Sequence, residues 1–145
     1  MQYRVGVFAL VLLLSLFSVV ALPQDPDPLV VITSPDVVQQ SLSPNALRAI
    51  FGMRLRSWPS GKPIQVFVLN ETNPVHIQFC KQVLNIFPHQ LRSSWDRQVY
   101  SGTGQAPREV ESMEEMLAQV AATPGAIGYS ERSRIDDSVR VLPIQ

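Results

Sequence analysis

Residues 112–129 read SMEEMLAQVAATPGAIGY and combine a helix, a stop signal and a strand in one short run. Ser112 and Glu115 match the capping box that begins many helices. The apolar residues that follow have the spacing of a single helix face: Met113, Met116, Leu117, Val120 and Ala121. Pro124-Gly125 ends that helix, and AIGY then reads as a buried strand. The run therefore predicts a helix packed on a sheet, which is favoured over an exposed methionine-rich binding face.

Strands and helices alternate outward from this run. Three more strands are predicted at short apolar segments: residues 29–33, 64–69 and 139–142. Three more helices are predicted to begin at prolines, which suit the first helical turn: Pro44, Pro74 and Pro88. In the helix that follows Pro74, the apolar face is predicted to carry Val75, Phe79 and Val83, with Cys80 and Leu84 beside them. This alternation predicts the α/β fold class, with a sheet of about four strands flanked by helices.

Composition limits the class of protein. A length of 145 residues suits one domain, and 12 basic against 12 acidic residues give no net charge, which argues against a nucleic-acid-binding protein. The charges are unevenly distributed. Residues 44–108 hold eight basic and two acidic side chains, whereas residues 109–137 hold two basic and seven acidic ones. The basic half is expected to attract an anion or an acidic partner, the alternative being an ordinary solvated surface.

The first residues are expected to direct export. Arg4 precedes an apolar run over residues 5–20, and the small residue Ala21 follows it. This order predicts a signal peptide, residues 1–21, that is cleaved after Ala21. An uncleaved membrane anchor is the less favoured alternative. Residues 22–28 are then expected to form a proline-rich linker, and residues 29–145 a single lobe.

Only a few side chains could serve as a nucleophile or a metal ligand: Cys80, His76 and His89. His76 and Cys80 stand four residues apart on one helix, so their side chains could touch. Such a pair could act as nucleophile and base, or contribute two ligands to a metal. A core thiol beside a partly buried histidine is the favoured interpretation, because no further ligand lies nearby. We therefore expect neither an enzyme nor a cofactor.

Several motifs in order carry a family resemblance: LRAIFG (residues 47–52), WPSGKPI (residues 58–64), the helix capped by Asn73, Trp95, and TPGAIGY (residues 123–129). Together they resemble the phosphate-type periplasmic substrate-binding proteins of ABC transporters. The resemblance is closest to small single-lobe members with a type 2 periplasmic-binding-protein-like domain. It implies one lobe built on a mixed sheet of about four strands flanked by helices, located in the periplasm.

The ligand positions depart from the family pattern. The family holds its anion between two lobes, and this chain has room for about one. In this lobe the family places an arginine four residues before a Ser-Gly-Thr that opens a helix. Here Leu69 takes the place of the arginine, and Asn73, Pro74 and Val75 take the place of the Ser-Gly-Thr. The Ser-Gly-Thr-Gly run at residues 101–104 opens no helix directly, so it is not assigned as the phosphate motif.

The remaining contacts expected for an anion are Thr72, Asn73 and the helix N-terminus. The resemblance implies a non-catalytic binding module for phosphate or another oxyanion, with weak or partner-completed binding. The alternative is an interaction or scaffold protein of the cell envelope that kept the lobe and lost the ligand site. The expected partners are a small anion and an envelope protein. Nucleic acid is not expected, nor is a membrane span after signal cleavage.

Overall fold

The computed structural model describes residues 21–145. The strands, in chain order, are β1 (Leu29–Thr33), β2 (Gln65–Leu69), β3 (Arg108–Val110), β4 (Ala126–Glu131) and β5 (Arg140–Leu142). The α-helices are α1 (Pro44–Phe51), α2 (Pro74–Gln78), α3 (Pro88–Tyr100) and α4 (Met113–Ala122). A π-helical turn, Phe79–Leu84, continues α2, and a 3-10 turn, Arg132–Arg134, follows β4.

The five strands form one mixed sheet in the order β3-β2-β4-β1-β5. Strand β2 runs parallel to both β3 and β4, whereas β1 is antiparallel to β4 and β5. The predicted α/β class with a mixed, helix-flanked sheet is confirmed. The expected count of about four strands omits β3, a three-residue edge strand. Its Arg108 and Glu109 are exposed, so it lacks the apolar pattern by which strands are recognised.

The helix-turn-strand run at residues 112–129 packs as the sequence predicts. The Ser112 hydroxyl accepts the Glu115 N–H at 3.1 Å and so caps α4. On the sheet below, a Cβ added at Gly128 would lie 2.6 Å from the Met116 sulfur and 3.0 Å from a Val120 methyl. Gly128 therefore allows α4 to approach β4 closely.

The turn at Gly125 joins three separate segments of the chain. Its carbonyl accepts the Trp58 indole N–H at 3.0 Å and the Gln65 N–H at 3.1 Å, and its own N–H donates to the Asp36 carboxylate at 3.2 Å. The backbone φ is +73°, and an added Cβ would lie 2.3 Å from the Pro63 carbonyl oxygen. Only glycine fits both this left-handed conformation and this approach.

The helix after Asn73 differs from its prediction. The chain passes from α2 into the π-helical turn, in which hydrogen bonds span five residues instead of four. Val75 and Val83 pack against the core as predicted but are only partly buried. Leu84, which was predicted to lie beside this face, is fully buried. The buried residues of this segment are His76, Phe79, Cys80 and Leu84.

Apart from Ala21, the predicted signal peptide lies outside the described residues. Residues 22–28 form neither helix nor strand. The end of this segment is nevertheless attached to the lobe, because the Pro28 carbonyl accepts the Arg132 N–H at 2.9 Å. Within residues 21–145, no helix has the length and apolar character needed to cross a membrane.

Candidate functional site

Parallel strands in an open α/β sheet usually present ligands at their carboxyl ends. Here that location is the carboxyl edge, which we define as residues 70–73 after β2 and residues 109–115 at the end of β3 and after it. The register pairs Leu69 with Val110, so the two loops leave the sheet side by side. The residues expected to contact an anion, Thr72 and Asn73, both lie in the first loop.

The polar groups of the first loop are used within the loop itself. The Asn70 side-chain oxygen accepts the Thr72 N–H at 2.9 Å and the Thr72 hydroxyl proton at 2.7 Å. The Asn73 side-chain oxygen accepts the Val75 N–H at 2.9 Å and caps α2. Pro74 contributes no N–H. The structure thus brings Thr72 and Asn73 together, but the Thr72 hydroxyl and the first free helix N–H already have partners.

The carboxyl edge also carries several carboxylates. Glu109 accepts a hydrogen bond from the Asn70 amide at 3.0 Å, and Glu71 lies 3.4 Å from Arg92, which is shared with Asp96. At the start of α4, the Glu115 carboxylate accepts the Glu111 N–H at 2.7 Å. Acidic side chains therefore already occupy the positive end of this helix dipole. A phosphate approaching this edge would meet repulsion from neighbouring carboxylates.

A buried hydrogen-bond chain lies directly beneath the carboxyl edge. The Tyr129 hydroxyl accepts the Leu69 N–H at 2.8 Å and lies 2.6 Å from Nδ1 of His76. Because the hydroxyl oxygen accepts from Leu69, its own proton is free to go to Nδ1. The histidine proton then belongs on Nε2, which lies 3.4 Å from the Cys80 sulfur. The chain runs from the Leu69 amide through Tyr129 and His76 to Cys80.

Burial keeps every member of this chain neutral. Removal from water is the largest cause that lowers the pKa of His76, and it raises the pKa of Cys80 to about 12 and that of Tyr129 still further. A thiol with such a pKa is not a thiolate nucleophile at neutral pH. The predicted core thiol beside a histidine is confirmed, although His76 is fully buried and not partly buried as expected.

The remaining candidate, His89, lies on the surface and stacks against Phe87 with ring centroids 5.8 Å apart. Across residues 21–145, no group of three His, Cys, Asp or Glu side chains is placed to hold a metal ion. The structure thus separates His89 from the other two candidates.

The sequence-based interpretation did not identify the role of Tyr129. This residue ends the TPGAIGY run in a strand that is buried along its length. A fully buried tyrosine hydroxyl needs a hydrogen-bond partner, and a histidine was the natural candidate. This requirement is the feature of the sequence from which the contact between β4 and α2 could have been predicted.

Comparison with solved structures finds the same lobe in phosphate-binding proteins. An ABC-type phosphate transport receptor from Vibrio cholerae aligns with 81% of this chain and 46% of its own, at 14% identity and a TM-score of 0.64. A putative phosphate ABC transporter substrate-binding protein from Clostridium perfringens, solved with bound phosphate, aligns over 81% and 45%, at 17% identity and a TM-score of 0.66. PstS from Borrelia burgdorferi aligns over 82% and 47%, at 18% identity and a TM-score of 0.63.

These alignments confirm the resemblance to the periplasmic-binding-protein fold and to a single lobe of it. The chain spans less than half the length of the solved structures it matches. At identities below 20%, the likeness concerns the fold alone. No family model matches the sequence, and no curated protein is a significant match.

Proposed function

We propose that the protein is a non-catalytic module of the periplasmic-binding-protein type, exported to the periplasm after cleavage of residues 1–21. It binds phosphate or another oxyanion weakly, or only when a partner completes the site. The observation that supports this proposal is the shared lobe, because two of the solved structures that match it are described as a phosphate transport receptor and as a putative phosphate ABC transporter substrate-binding protein. Residues 22–28 act as a linker, and residues 29–145 form the binding lobe.

Weak binding follows from what the carboxyl edge offers. Thr72 and Asn73 contribute neutral donors only, and Leu69 supplies no charge where the family pattern has an arginine. A hydrogen bond to a charged group contributes about 1.5–3 kcal/mol, and each ~1.4 kcal/mol changes affinity tenfold. The loss of two or three such bonds moves a micromolar site into the millimolar range. The carboxylates of Glu71 and Glu109 oppose binding further.

A non-catalytic role follows from the buried chain that contains His76 and Cys80. Its histidine is engaged at both ring nitrogens, and its thiol is buried and protonated. Neither group can reach a substrate in solution. The pair is therefore a structural element beneath the sheet edge.

Calorimetry on the purified protein tests the proposal. Inorganic phosphate should bind with a millimolar dissociation constant, and Asn73→Ala should weaken this binding further. Ser43→Ala is the matched control, because the Ser43 side chain caps α1 as Asn73 caps α2, and Ser43 lies outside the carboxyl edge. Sub-micromolar phosphate binding that Asn73→Ala leaves unchanged would mean that other groups hold the ligand.

A second function, an envelope interaction or scaffold protein, is supported by the acidic carboxyl edge. There the polar side chains form hydrogen bonds within the protein. This pattern suits a surface that does not bind a small ligand. Cross-linking from position 111 in intact cells separates the two functions. A single specific envelope protein captured there, together with no phosphate binding in calorimetry, would favour the scaffold function.

A further inference from the structure

A groove lies at the opposite end of the parallel strands from the carboxyl edge. Its volume is about 500 Å³, and its walls come from the start of β2, the start of β3 and the loop that precedes β3. This volume lies within the range of ~300–1,000 Å³ that is typical of small-molecule sites. We call it the arginine groove, after the two charged residues that line it: Arg56 and Arg108.

The groove is basic, and its charge is not neutralised. Its lining residues include both arginines and no aspartate or glutamate. In the part of the chain that the structure describes, neither Arg56 nor Arg108 forms an ion pair with a carboxylate. By contrast, the ion pairs within the described residues are formed by Lys62, Arg92 and Arg134. Two uncompensated guanidinium groups in one concave surface attract an anion.

Arg56 is held in place by neutral acceptors. Its Nε donates to the Met53 carbonyl at 3.1 Å, and its Nη2 donates to the Thr103 carbonyl at 2.6 Å and to the Gln98 side-chain oxygen at 3.2 Å. A guanidinium has five N–H donors, and these bonds use three of them. The two donors on Nη1 stay available for a ligand, on a side chain whose position is already fixed.

The glycines of the 101–104 loop make room for this arrangement. Gly102 has a φ of +71°, which favours glycine. A Cβ on Gly104 would lie 2.4 Å from Nη2 of Arg56 and 2.8 Å from the Gln98 oxygen. The loop that opens no helix directly therefore serves a different purpose, which is to let its backbone pass close to the arginine.

Arg108 completes the charged surface from the first position of β3. Its guanidinium carbon lies 5.9 Å from the centre of the Phe67 ring. Side chains alternate along a strand, so the next residue, Glu109, points away and bonds Asn70 at the carboxyl edge. Arg108 therefore lines the groove, whereas the Glu109 carboxylate contributes its charge to the carboxyl edge.

We propose that the arginine groove binds a small organic anion that carries a phosphate or carboxylate group. Guanidinium groups recognise both oxyanions with paired hydrogen bonds. The volume exceeds what a single inorganic phosphate needs, and Met53, Pro63 and Pro107 supply an apolar wall for the rest of such a molecule. This site goes beyond the proposed function, because it lies on the opposite edge of the sheet from Thr72 and Asn73.

Calorimetric titration with glycerol phosphate and with citrate tests the proposal and separates the two oxyanions. At least one should bind more tightly than inorganic phosphate does. Arg108→Gln should weaken that binding roughly tenfold or more, as expected for the loss of one charge-assisted interaction. Arg132→Gln is the matched control, since Arg132 is exposed and lies outside the groove. It should change affinity little.

A second variant changes the groove without disrupting the fold of the protein. Gly104→Ala places a methyl group where the end of Arg56 lies, and that flexible end can move away without unfolding the protein. Its thermal unfolding should be near that of the unaltered protein, while anion affinity falls several-fold. The proposal is overturned if neither probe binds at millimolar concentration, or if Arg108→Gln and Gly104→Ala bind as the unaltered protein does. Asn73→Ala should leave glycerol phosphate and citrate affinity unchanged, which keeps this test separate from that of the carboxyl edge.

Discussion

The two ends of strands β2 and β3 differ in charge and in the use of their polar groups. At the carboxyl edge, Asn70 binds Thr72, Asn73 caps a helix, and carboxylates from β3 and α4 accept hydrogen bonds from neighbouring groups. At the arginine groove, Arg56 keeps two donors free and no carboxylate lines the surface. The comparison teaches that a fold shared with phosphate-binding proteins does not determine which edge of its sheet suits an anion.

Gly125→Ala should have the largest effect on stability, because the Gly125 turn is hydrogen-bonded to three other segments of the lobe. The substitution adds the cost of a left-handed alanine to a collision with the Pro63 carbonyl, together about 3 kcal/mol of unfolding free energy. Chemical denaturation measures this loss. Gly61→Ala is the control: its φ is +88° but its Cβ would touch nothing, so it should lose only about 1–2 kcal/mol. Equal losses of unfolding free energy in the two variants would show that the protein relaxes to avoid the collision with the Pro63 carbonyl.

Tyr129→Phe should weaken the carboxyl edge alone. It leaves the Leu69 N–H and Nδ1 of His76 without their partner, at a cost of about 1–3 kcal/mol. Hydrogen exchange at the Leu69 amide should accelerate, whereas the amides of the 101–104 loop should exchange as before. Tyr100→Phe, at a residue whose exposed fraction is 88%, should change stability by less than about 0.5 kcal/mol. Unchanged exchange at Leu69 would contradict the hydrogen bond.

The fold was largely predictable from the sequence, but the two regions were not equally so. The α4 stripe and the Gly125 turn are local patterns of spacing, and both appear where expected. Strand β3 was missed because an exposed Arg-Glu pair at a sheet edge has no apolar signature. The arginine groove could not be predicted, since Arg56, Gly104 and Arg108 become neighbours only through the tertiary fold. The acidic character of the carboxyl edge arises in the same way, from loops that follow different strands.

Acid should destabilise the protein through His76. Burial lowers the folded-state pKa of this histidine below its ordinary value of 6.5, so the unfolded chain binds a proton more readily. The stabilising contribution is fully present above pH 6.5 and is lost as the pH falls toward the lower folded-state pKa. Unfolding measured between about pH 8 and about pH 5 should show this loss. His76→Gln should be less stable throughout but less sensitive to pH.

Glu71→Gln, which removes a charge at the carboxyl edge, should have the smallest effect. Removal of one exposed negative charge should strengthen phosphate binding there about two- to fivefold at low salt, and salt should reduce the gain. Calorimetry at two ionic strengths measures it. Glu114→Gln is the comparison variant. It also removes one carboxylate of the carboxyl edge, which forms an ion pair with Arg134. A weaker phosphate affinity after Glu71→Gln would contradict the repulsion attributed to this carboxylate.

The most direct test of the central claim is to locate bound anion by nuclear magnetic resonance. The claim is that the arginine groove, and not the carboxyl edge, is the stronger anion site of this lobe. Backbone amide shifts should be followed while glycerol phosphate is added to the purified protein. We expect residues 102–108 to shift first, and residues 72–75 to move only at higher concentration. Shifts that begin at residues 72–75 and leave residues 102–108 unmoved would contradict it.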